Sequence, residues 1–474
     1  MRQTKVVATL GPATDRPGVL RELVGAGVDV VRLNFSHGVA DDHKKRAAAV
    51  LAAAEELKRD VGILGDLQGP KIRIESFRGG GVELSEGQDF TLDAGLAHDA
   101  GNVHVVATSY TQLPQDVRTG DVLVLNDGAI SLEVQEVAGS QVRCKVVVGG
   151  LLTNRKGINK LGGGLSAEAL TLKDRDDIRL AAEIGVDFLA VSFPRSAADM
   201  QLARRLYSEA GGRGQLVAKI ERTEAVTQLD ALLAESDAVM VARGDLGVEI
   251  GDAELPGVQK RIIAAAREQN RLVITATQMM ESMIASPVPT RAEVLDVANA
   301  VMDGSDAVML SAETAAGKYP VKAVQAMCRV CIGAERQQVT QRSAALLTRH
   351  FERTDEAIAM AAIYTAQNMR AGAIIALTES GGTAIWMSRA ATTIPIYALT
   401  RHEHARRRLA LCRGVYPVEF DPSSLDGVVA VREAISCLKN KGQLRDGERV
   451  LITKGDLDSI GGTNAMKVVK VGEI

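Results

Sequence analysis

Short apolar runs alternate with helix-like segments along most of this chain. The runs are KVVATLG (5–11), VDVVRLNF (28–35), VGILGDL (61–67), VDFLAVSF (186–193), LVAKIE (216–221), AVMVARGD (238–245), LVITATQ (272–278) and AVMLSAE (307–313). Each has the length of a strand and few polar positions until its end, the pattern of a parallel strand covered on both faces. Helical periodicity occupies the gaps, as at 257–269 and 291–302. About eight βα units is the number that closes a (β/α)8 TIM barrel. Polar residues collect where the runs stop: Arg32, Asn34, Asp66, Ser192, Lys219, Glu221, Asp245, Thr277, Ser311 and Glu313. In such a barrel the active site lies at those strand ends.

The third and fourth units are separated by about a hundred residues, too many for a simple βα loop. From 71 to 164 the pattern changes to period two, in KIRIESF, VELSEGQDFTL, DVLVLNDGAISLEVQEV and SQVRCKVVV. Glycine-bearing turns such as Asn126-Asp127-Gly128 part these runs, which signals hairpins. An inserted β-barrel lid is expected at the barrel mouth, placed to exclude water. A third pattern starts near Val339: a helix over TDEAIAMAAIYTAQNM with Thr354 or Asp355 as its N-cap, then strand, glycine turn and helix in AGAIIALTESGGTAIWMSRA. The strands IPIYALT and RVLITKGD follow. The expected division is barrel 1–69 and 166–338, lid 70–165, and a C-terminal α/β regulatory domain 339–474.

Composition narrows the function. A chain of 474 residues exceeds one ordinary core. Lys+Arg 56 against Asp+Glu 59 leaves a formal charge of −3, which exerts no long-range pull on nucleic acid or an anionic membrane. Aromatics are 3%, too few for base-stacking platforms. No apolar stretch is long enough to span a bilayer, and the N-terminus has no signal-peptide pattern. Five cysteines suggest no disulfide framework, so a reducing, cytoplasmic setting is expected. Cys328 and Cys331 form a C-x-x-C inside a helical stretch, weak grounds for metal or redox work without a second ligand pair.

Two strand ends carry the candidate chemistry, KIE (219–221) and ARGD (242–245). Glu221 and Asp245 can hold a hard divalent cation that keeps waters for substrate oxygens, with Lys219 facing it. Phosphoryl transfer needs that arrangement, because the protein's task there is positioning and charge neutralisation. Two ion-paired carboxylates beside a lysine are the plain structural alternative. Thr378-Glu379-Ser380-Gly381-Gly382-Thr383 follows a strand and opens a helix, which makes it either an ordinary turn with its cap or an anion-binding loop. RHEHARRR (401–408) adds nearby basic residues, or else forms a solvated helix face.

The motifs RLNFSHG (32–38), GDLQGPKIR (65–73), NRKGINK (154–160), VAKIER (217–222), MVARGDLGVEI (240–250), ITATQMMESM (274–283), PTRAEVLDVANAV (289–301) and MLSAETAAGKYP (309–320) together resemble the pyruvate kinase family, most of all its bacterial form activated by AMP and sugar monophosphates. The resemblance runs over nearly the whole chain in order. It implies transfer of the phosphoryl group of phosphoenolpyruvate to ADP, giving pyruvate and ATP, in a cytoplasmic homotetramer. Glu221 and Asp245 would bind Mg²⁺, or Mn²⁺ in its place. Lys219 and Arg32 would neutralise the phosphoryl group. The Gly244 and Asp245 N–H groups with the Thr277 hydroxyl would hold the substrate carboxylate, and a water relay involving Ser311 and Glu313 would protonate the enolate near Thr277. Arg32, Asn34, His37, Arg73 and Lys156 would meet the nucleotide, although His37 also reads as a plain surface residue. Thr378, Ser380, Gly381, Gly382 and Thr383 would take an effector phosphate. The family's monovalent-cation site would comprise Asn34, Ser36, Asp66 and a carbonyl at Leu67. Here Lys71 replaces the usual glutamate beside it, so K⁺ is not expected to be required. Two other readings remain: a Mg²⁺-dependent enolate aldolase or lyase without a nucleotide, and a phosphate-sensing protein without catalysis.

Overall fold

The structure is a computed structural model that describes residues 1–337, 350–390, 392–455 and 462–473. The expected boundary at 338/339 lies outside the described residues. All eight apolar runs form strands: β1 (Lys5–Thr9), β2 (Val30–Asn34), β3 (Gly62–Asp66) and, after the insertion, the five strands that follow it. They close a barrel in the order expected of consecutive βα units, with the last strand beside the first. β1 pairs in parallel with β2, Val7 opposite Val30. These strands are buried almost throughout, which is why their sequences lack the in–out alternation of a half-exposed sheet.

The insertion contains β4 (Gly81–Leu84), β5 (Asp89–Asp93), β6 (Val105–Ala107), β7 (Val122–Leu125), β8 (Ile130–Ala138), β9 (Gln141–Val148), β10 (Gly150–Thr153) and β11 (Ile158–Lys160). Six of them form one sheet in the order β11-β7-β8-β9-β5-β6, while β4 and β10 pair as a ribbon. Both surround a single apolar core that includes Leu84, Phe90, Leu123, Leu132 and Leu152. β8 alternates buried with more exposed residues from Ile130 to Gln135, as its period-two sequence predicts, until a bulge at Val134/Glu136 breaks the alternation. Asn126 and Asp127 take positive φ between β7 and β8, the conformation a tight hairpin requires.

The barrel resumes with β12 (Phe188–Val191), β13 (Gln215–Ile220), β14 (Ala238–Ala242), β15 (Leu272–Ala276) and β16 (Ala307–Leu310). The two helices expected at 257–269 and 291–302 run over Leu255–Glu268 and Arg291–Asp303. Arg291–Asp303 starts on a Thr290/Glu293 capping box and stops at Gly304, whose φ of 102° is open to glycine at little cost. The C-x-x-C lies in the helix Pro320–Gln337, and all five cysteines are free. Among the described residues no helix is long and apolar enough to cross a membrane.

The C-terminal region contains β17 (Ala373–Leu377), β18 (Ile396–Thr400), β19 (Val415–Glu419), β20 (Arg449–Lys454) and β21 (Ala465–Lys470), ordered β19-β18-β17-β20-β21. Only β21 is antiparallel to its neighbour. The helix ahead of β17 spans Thr354–Met369 with Arg353 in the N-cap position, so Thr354 and Asp355 fall in its first turn instead. There Asp355 receives the Arg353 guanidinium, an ion pair that offsets the missing side-chain cap.

By internal contacts the chain divides into two compact units, Met1–Gly65 with Ile184–Phe188 and Ala266–Ile474, and Asp66–Glu183 with Leu189–Ala265. Within the first unit the C-terminal sheet docks through buried charge. Asp306, fully buried, accepts hydrogen bonds from Arg389 and from the backbone N–H groups of Arg413 and Val273. Arg406 meets Asp60 at 3.0 Å and Arg407 meets Asp187 at 3.1 Å. The basic run 401–408 is therefore in part a docking face. Its periodicity could not reveal that, because Asp60 and Asp187 lie hundreds of residues away.

Candidate active site

The second unit contains the chemistry-bearing ends of β13 and β14. Lys219 is the penultimate residue of β13, and its side chain is about nine-tenths buried. Its ammonium donates to Ser192 Oγ at 2.7 Å and lies 2.9 Å from Glu221 Oε1 and 3.3 Å from Asp66 Oδ1. Ser192 in turn donates to the Leu67 carbonyl at 2.8 Å. The other Glu221 oxygen accepts the Phe193 N–H at 2.9 Å. Phe193 takes φ 55°, which costs an L-residue energy and turns its amide toward the carboxylate. Three strand ends, those of β3, β12 and β13, thus fix one ammonium and one carboxylate.

Asp245 sits in the first turn of the helix Arg243–Ile250, which follows β14 directly. At a helix start the amide N–H groups lack acceptors within the helix, so the backbone at Gly244 and Asp245 presents donors and partial positive charge. Lys71, at the root of the insertion, reaches Asp245 Oδ1 at 2.9 Å. No local pattern marks that pairing, because the two residues lie 174 positions apart.

Burial pushes the Glu221 carboxyl up, against the pull of Lys219 and with Asp245 and Asp66 adding to the rise. Three carboxylates around one site hold negative charge that an added cation would relieve. Among the described residues no group of three or more His, Cys, Asp or Glu could enclose a metal. Two carboxylates with room for water and substrate oxygens suit Mg²⁺, which rarely takes an all-protein cage.

Asp66 and Leu67 were expected beside a monovalent cation. Asp66 lies 3.3 Å from the Lys219 ammonium, and the Leu67 carbonyl accepts from Ser192. Arg73 lies at the root of the insertion, and Lys156 lies within the insertion between β10 and β11. There Arg73 pairs with Gly157, and the Arg73 guanidinium donates to the Arg155 carbonyl.

In the first unit Arg32 donates to Thr9 Oγ1 at 3.1 Å, and Ser36 N–H donates to Asn34 Oδ1. His37 is exposed in the turn that follows. Thr277 and Gln278 take φ 67° and 53°, two strained residues in succession after β15. Glu313 is buried and accepts N–H groups from Met280 at 3.1 Å and Ser311 at 2.7 Å. Those bonds occupy it in holding the strand-end loops.

At the C-terminal loop, Gly381 has φ 87° and its N–H donates to Thr378 Oγ1. Ser380 is exposed, whereas Thr383 is buried and shares a hydrogen bond with Thr463 Oγ1 at 2.6 Å. Glu379 pairs with His402 and lies 3.5 Å from Arg401. Arg222, Glu224 and Glu249, which no local pattern marks as functional, hold the second junction of the insertion. The glycine run 162–164 is the signal in the chain that could have drawn attention there.

The family model described as pyruvate kinase, barrel domain, matches residues 1–324, and the one described as pyruvate kinase, alpha/beta domain, matches 356–469. The chain is 55% identical to pyruvate kinase II of Salmonella typhimurium over 99% of both chains. It is 52% identical to the pyruvate kinase of Haemophilus influenzae over 96% of both. A crystal structure of a pyruvate kinase from Cryptosporidium parvum superposes with a TM-score of 0.92 at 35% identity, covering 99% of this chain and 96% of that one. With matches of this extent, on a barrel whose strand ends bring together a lysine and two metal-suited carboxylates, the chain belongs to the pyruvate kinase family of phosphotransferases.

Proposed function

We propose that the chain transfers the phosphoryl group of phosphoenolpyruvate to ADP with Mg²⁺ held by Glu221 and Asp245. The observation that carries this reading is the Lys219 ammonium, held among Ser192, Asp66 and Glu221 at the end of β13. A preorganised cation of that kind stabilises charge that spreads over the moving phosphoryl oxygens. The metal, when bound, supplies Lewis-acid charge stabilisation to substrate oxygens. Arg32 neutralises the phosphoryl group from another side. Backbone N–H groups at Gly244 and Asp245, with the Thr277 hydroxyl, orient the substrate carboxylate. The bond from phosphorus to the enolate oxygen breaks as one to the terminal ADP oxygen forms. The enolate then takes a proton at carbon. A hydroxyl alone is a weak acid, so water near Thr277 is the better donor. With Glu313 occupied by two backbone N–H groups, its part there is to shape the loop.

Asn34, His37, Arg73 and Lys156 serve the nucleotide, the last reaching in from the inserted sheet, which acts as a lid. Lys71 takes the electrostatic place of a monovalent cation, so K⁺ is not required. Thr378, Ser380, Gly381, Gly382 and Thr383 form the effector-phosphate loop of a cytoplasmic homotetramer. The test of the reaction is turnover with and without ADP in the parent and in Lys219→Met. Strict ADP dependence is expected, with kcat lowered about 10²–10³-fold in the variant while Mg²⁺ still binds. Near-normal kcat in folded Lys219→Met would refute the assignment.

A further inference from the structure

The inserted sheet returns to the barrel through the neck 162–165. Gly162, Gly163 and Gly164 all take positive φ, at 83°, 79° and 98°. Such a run bends easily, and left alone it would let the sheet swing over a wide range. Two side chains and one carbonyl of the barrel hold it, and a third side chain ties the adjoining sheet. Glu249 O accepts the Gly162 N–H at 2.8 Å. Glu224 Oε1 accepts the Gly164 N–H at 2.6 Å, a charge-assisted bond. Arg222 Nη2 donates to the Leu165 carbonyl at 2.6 Å. The Glu249 carboxylate accepts the Thr223 N–H at 3.0 Å and a hydrogen bond from the Asn159 side chain in the sheet.

These groups brace one another. Arg222 is 3% exposed, with its Nε 3.6 Å from Glu224 and 3.9 Å from Glu249. The neck is pressed so close that a Cβ on Gly163 would sit 3.0 Å from Thr223 Cβ and 3.1 Å from the Glu224 carboxylate. Arg222 and Glu224 come from the segment directly after Glu221. Glu249 lies one turn beyond Asp245 on the helix Arg243–Ile250. The first turn of that helix also meets the other neck, through Lys71 and Asp245. Metal-suited carboxylates and the two necks of the sheet are therefore built into the same two short segments.

We propose that Arg222, Glu224 and Glu249 are positioning residues, a clasp on the neck 162–165 that sets the angle of the inserted sheet and so delivers Lys156 to the nucleotide phosphates. The effect of the three is to narrow the range of angles, which raises the fraction of molecules ready to bind ADP. The proposal rests on the lid reading of the inserted sheet.

The experiment uses the full-length enzyme with Mg²⁺, phosphoenolpyruvate and ADP. Variants are Glu224→Ala, Glu224→Gln, Arg222→Lys and Lys156→Ala. Readouts are KM for ADP, KM for phosphoenolpyruvate, kcat, and amide hydrogen exchange at 162–165. Loss of one charge-assisted bond to backbone corresponds to roughly tenfold or more in the ratio of clasped to open molecules. Glu224→Ala is expected to speed exchange at Gly164 by about that factor and raise KM for ADP by several-fold to about tenfold. KM for phosphoenolpyruvate and kcat at saturating ADP should change much less. Glu224→Gln still offers an acceptor and should restore most of the parent behaviour. Arg222→Lys keeps its charge but loses reach to Leu165, and should show the same split as Glu224→Ala; it also guards against a folding failure in that variant. Lys156→Ala should raise KM for ADP without altering exchange in the neck. An unchanged KM for ADP in Glu224→Ala and Arg222→Lys, beside a raised one in Lys156→Ala, overturns the clasp. An unchanged KM in all of them overturns the lid reading, and the clasp with it.

Discussion

Replacing Lys71 by glutamate should make this enzyme dependent on potassium. Lys71 Nζ lies 2.9 Å from Asp245 Oδ1, and both side chains are about one-quarter exposed. Two unit charges at that separation interact by about 6 kcal/mol at an effective dielectric near 20. Desolvation and solvent screening reduce the net value to the range of a charged hydrogen bond, about 1.5–3 kcal/mol. Lys71→Glu replaces that attraction with a repulsion of similar size, because a second carboxylate then faces Asp245. A monovalent cation would relieve the repulsion, and one available at millimolar concentration should restore at least a tenfold share of activity. The assay is Mg²⁺-saturated turnover in buffer with a bulky organic counter-cation, with and without added K⁺. The parent should vary by less than about twofold, and Lys71→Glu should be strongly stimulated. Lys71→Met, which removes the positive charge without adding a negative one, should fall between them. Strong stimulation of the parent by K⁺ would show that Lys71 does not supply the missing charge.

Two further outcomes are expected, the first resting on the proposed effector loop. Ser380→Asp places a carboxylate in the exposed part of the 378–383 loop and should abolish the rise in activity with AMP or a sugar monophosphate, whereas Ser380→Ala should only weaken it; a full response in Ser380→Asp would move the effector site elsewhere. In the inserted sheet, burial alone would push the Asp93 carboxyl up, but hydrogen bonds from Gly95 N–H, Ser140 and Gln141 hold it below the ordinary value. A depressed carboxyl contributes stability that is complete above the unfolded value near pH 4 and is lost as pH falls through the folded value. Thermal unfolding followed at pH 7 and below pH 4 should therefore show Asp93→Asn destabilised at the higher pH and converging on the parent at the lower; an equal gap at both would refute it.

The sequence by itself determined the elements and their order. LVAKIE could become only a buried strand, and it is β13; the alternation in SLEVQEV could lie only on a sheet with one wet face, and it is β8. Periodicity is local, so each run fixes its own conformation within a few residues. For the same reason the strand ends were legible as a site: a polar residue closing an apolar run has nowhere to go but the rim of the barrel. Only the tertiary structure decided which of those residues meet. Lys219 finds Asp66 and Ser192 because the barrel closes β3, β12 and β13 in succession, and Lys71 finds Asp245 across 174 residues because the insertion returns its root to the helix after β14. Arg389 and Arg407 became docking residues because a separate sheet came to rest on Asp306 and Asp187. A charge carries no mark of its partner in the chain; the pairing is set by the path of the backbone between them.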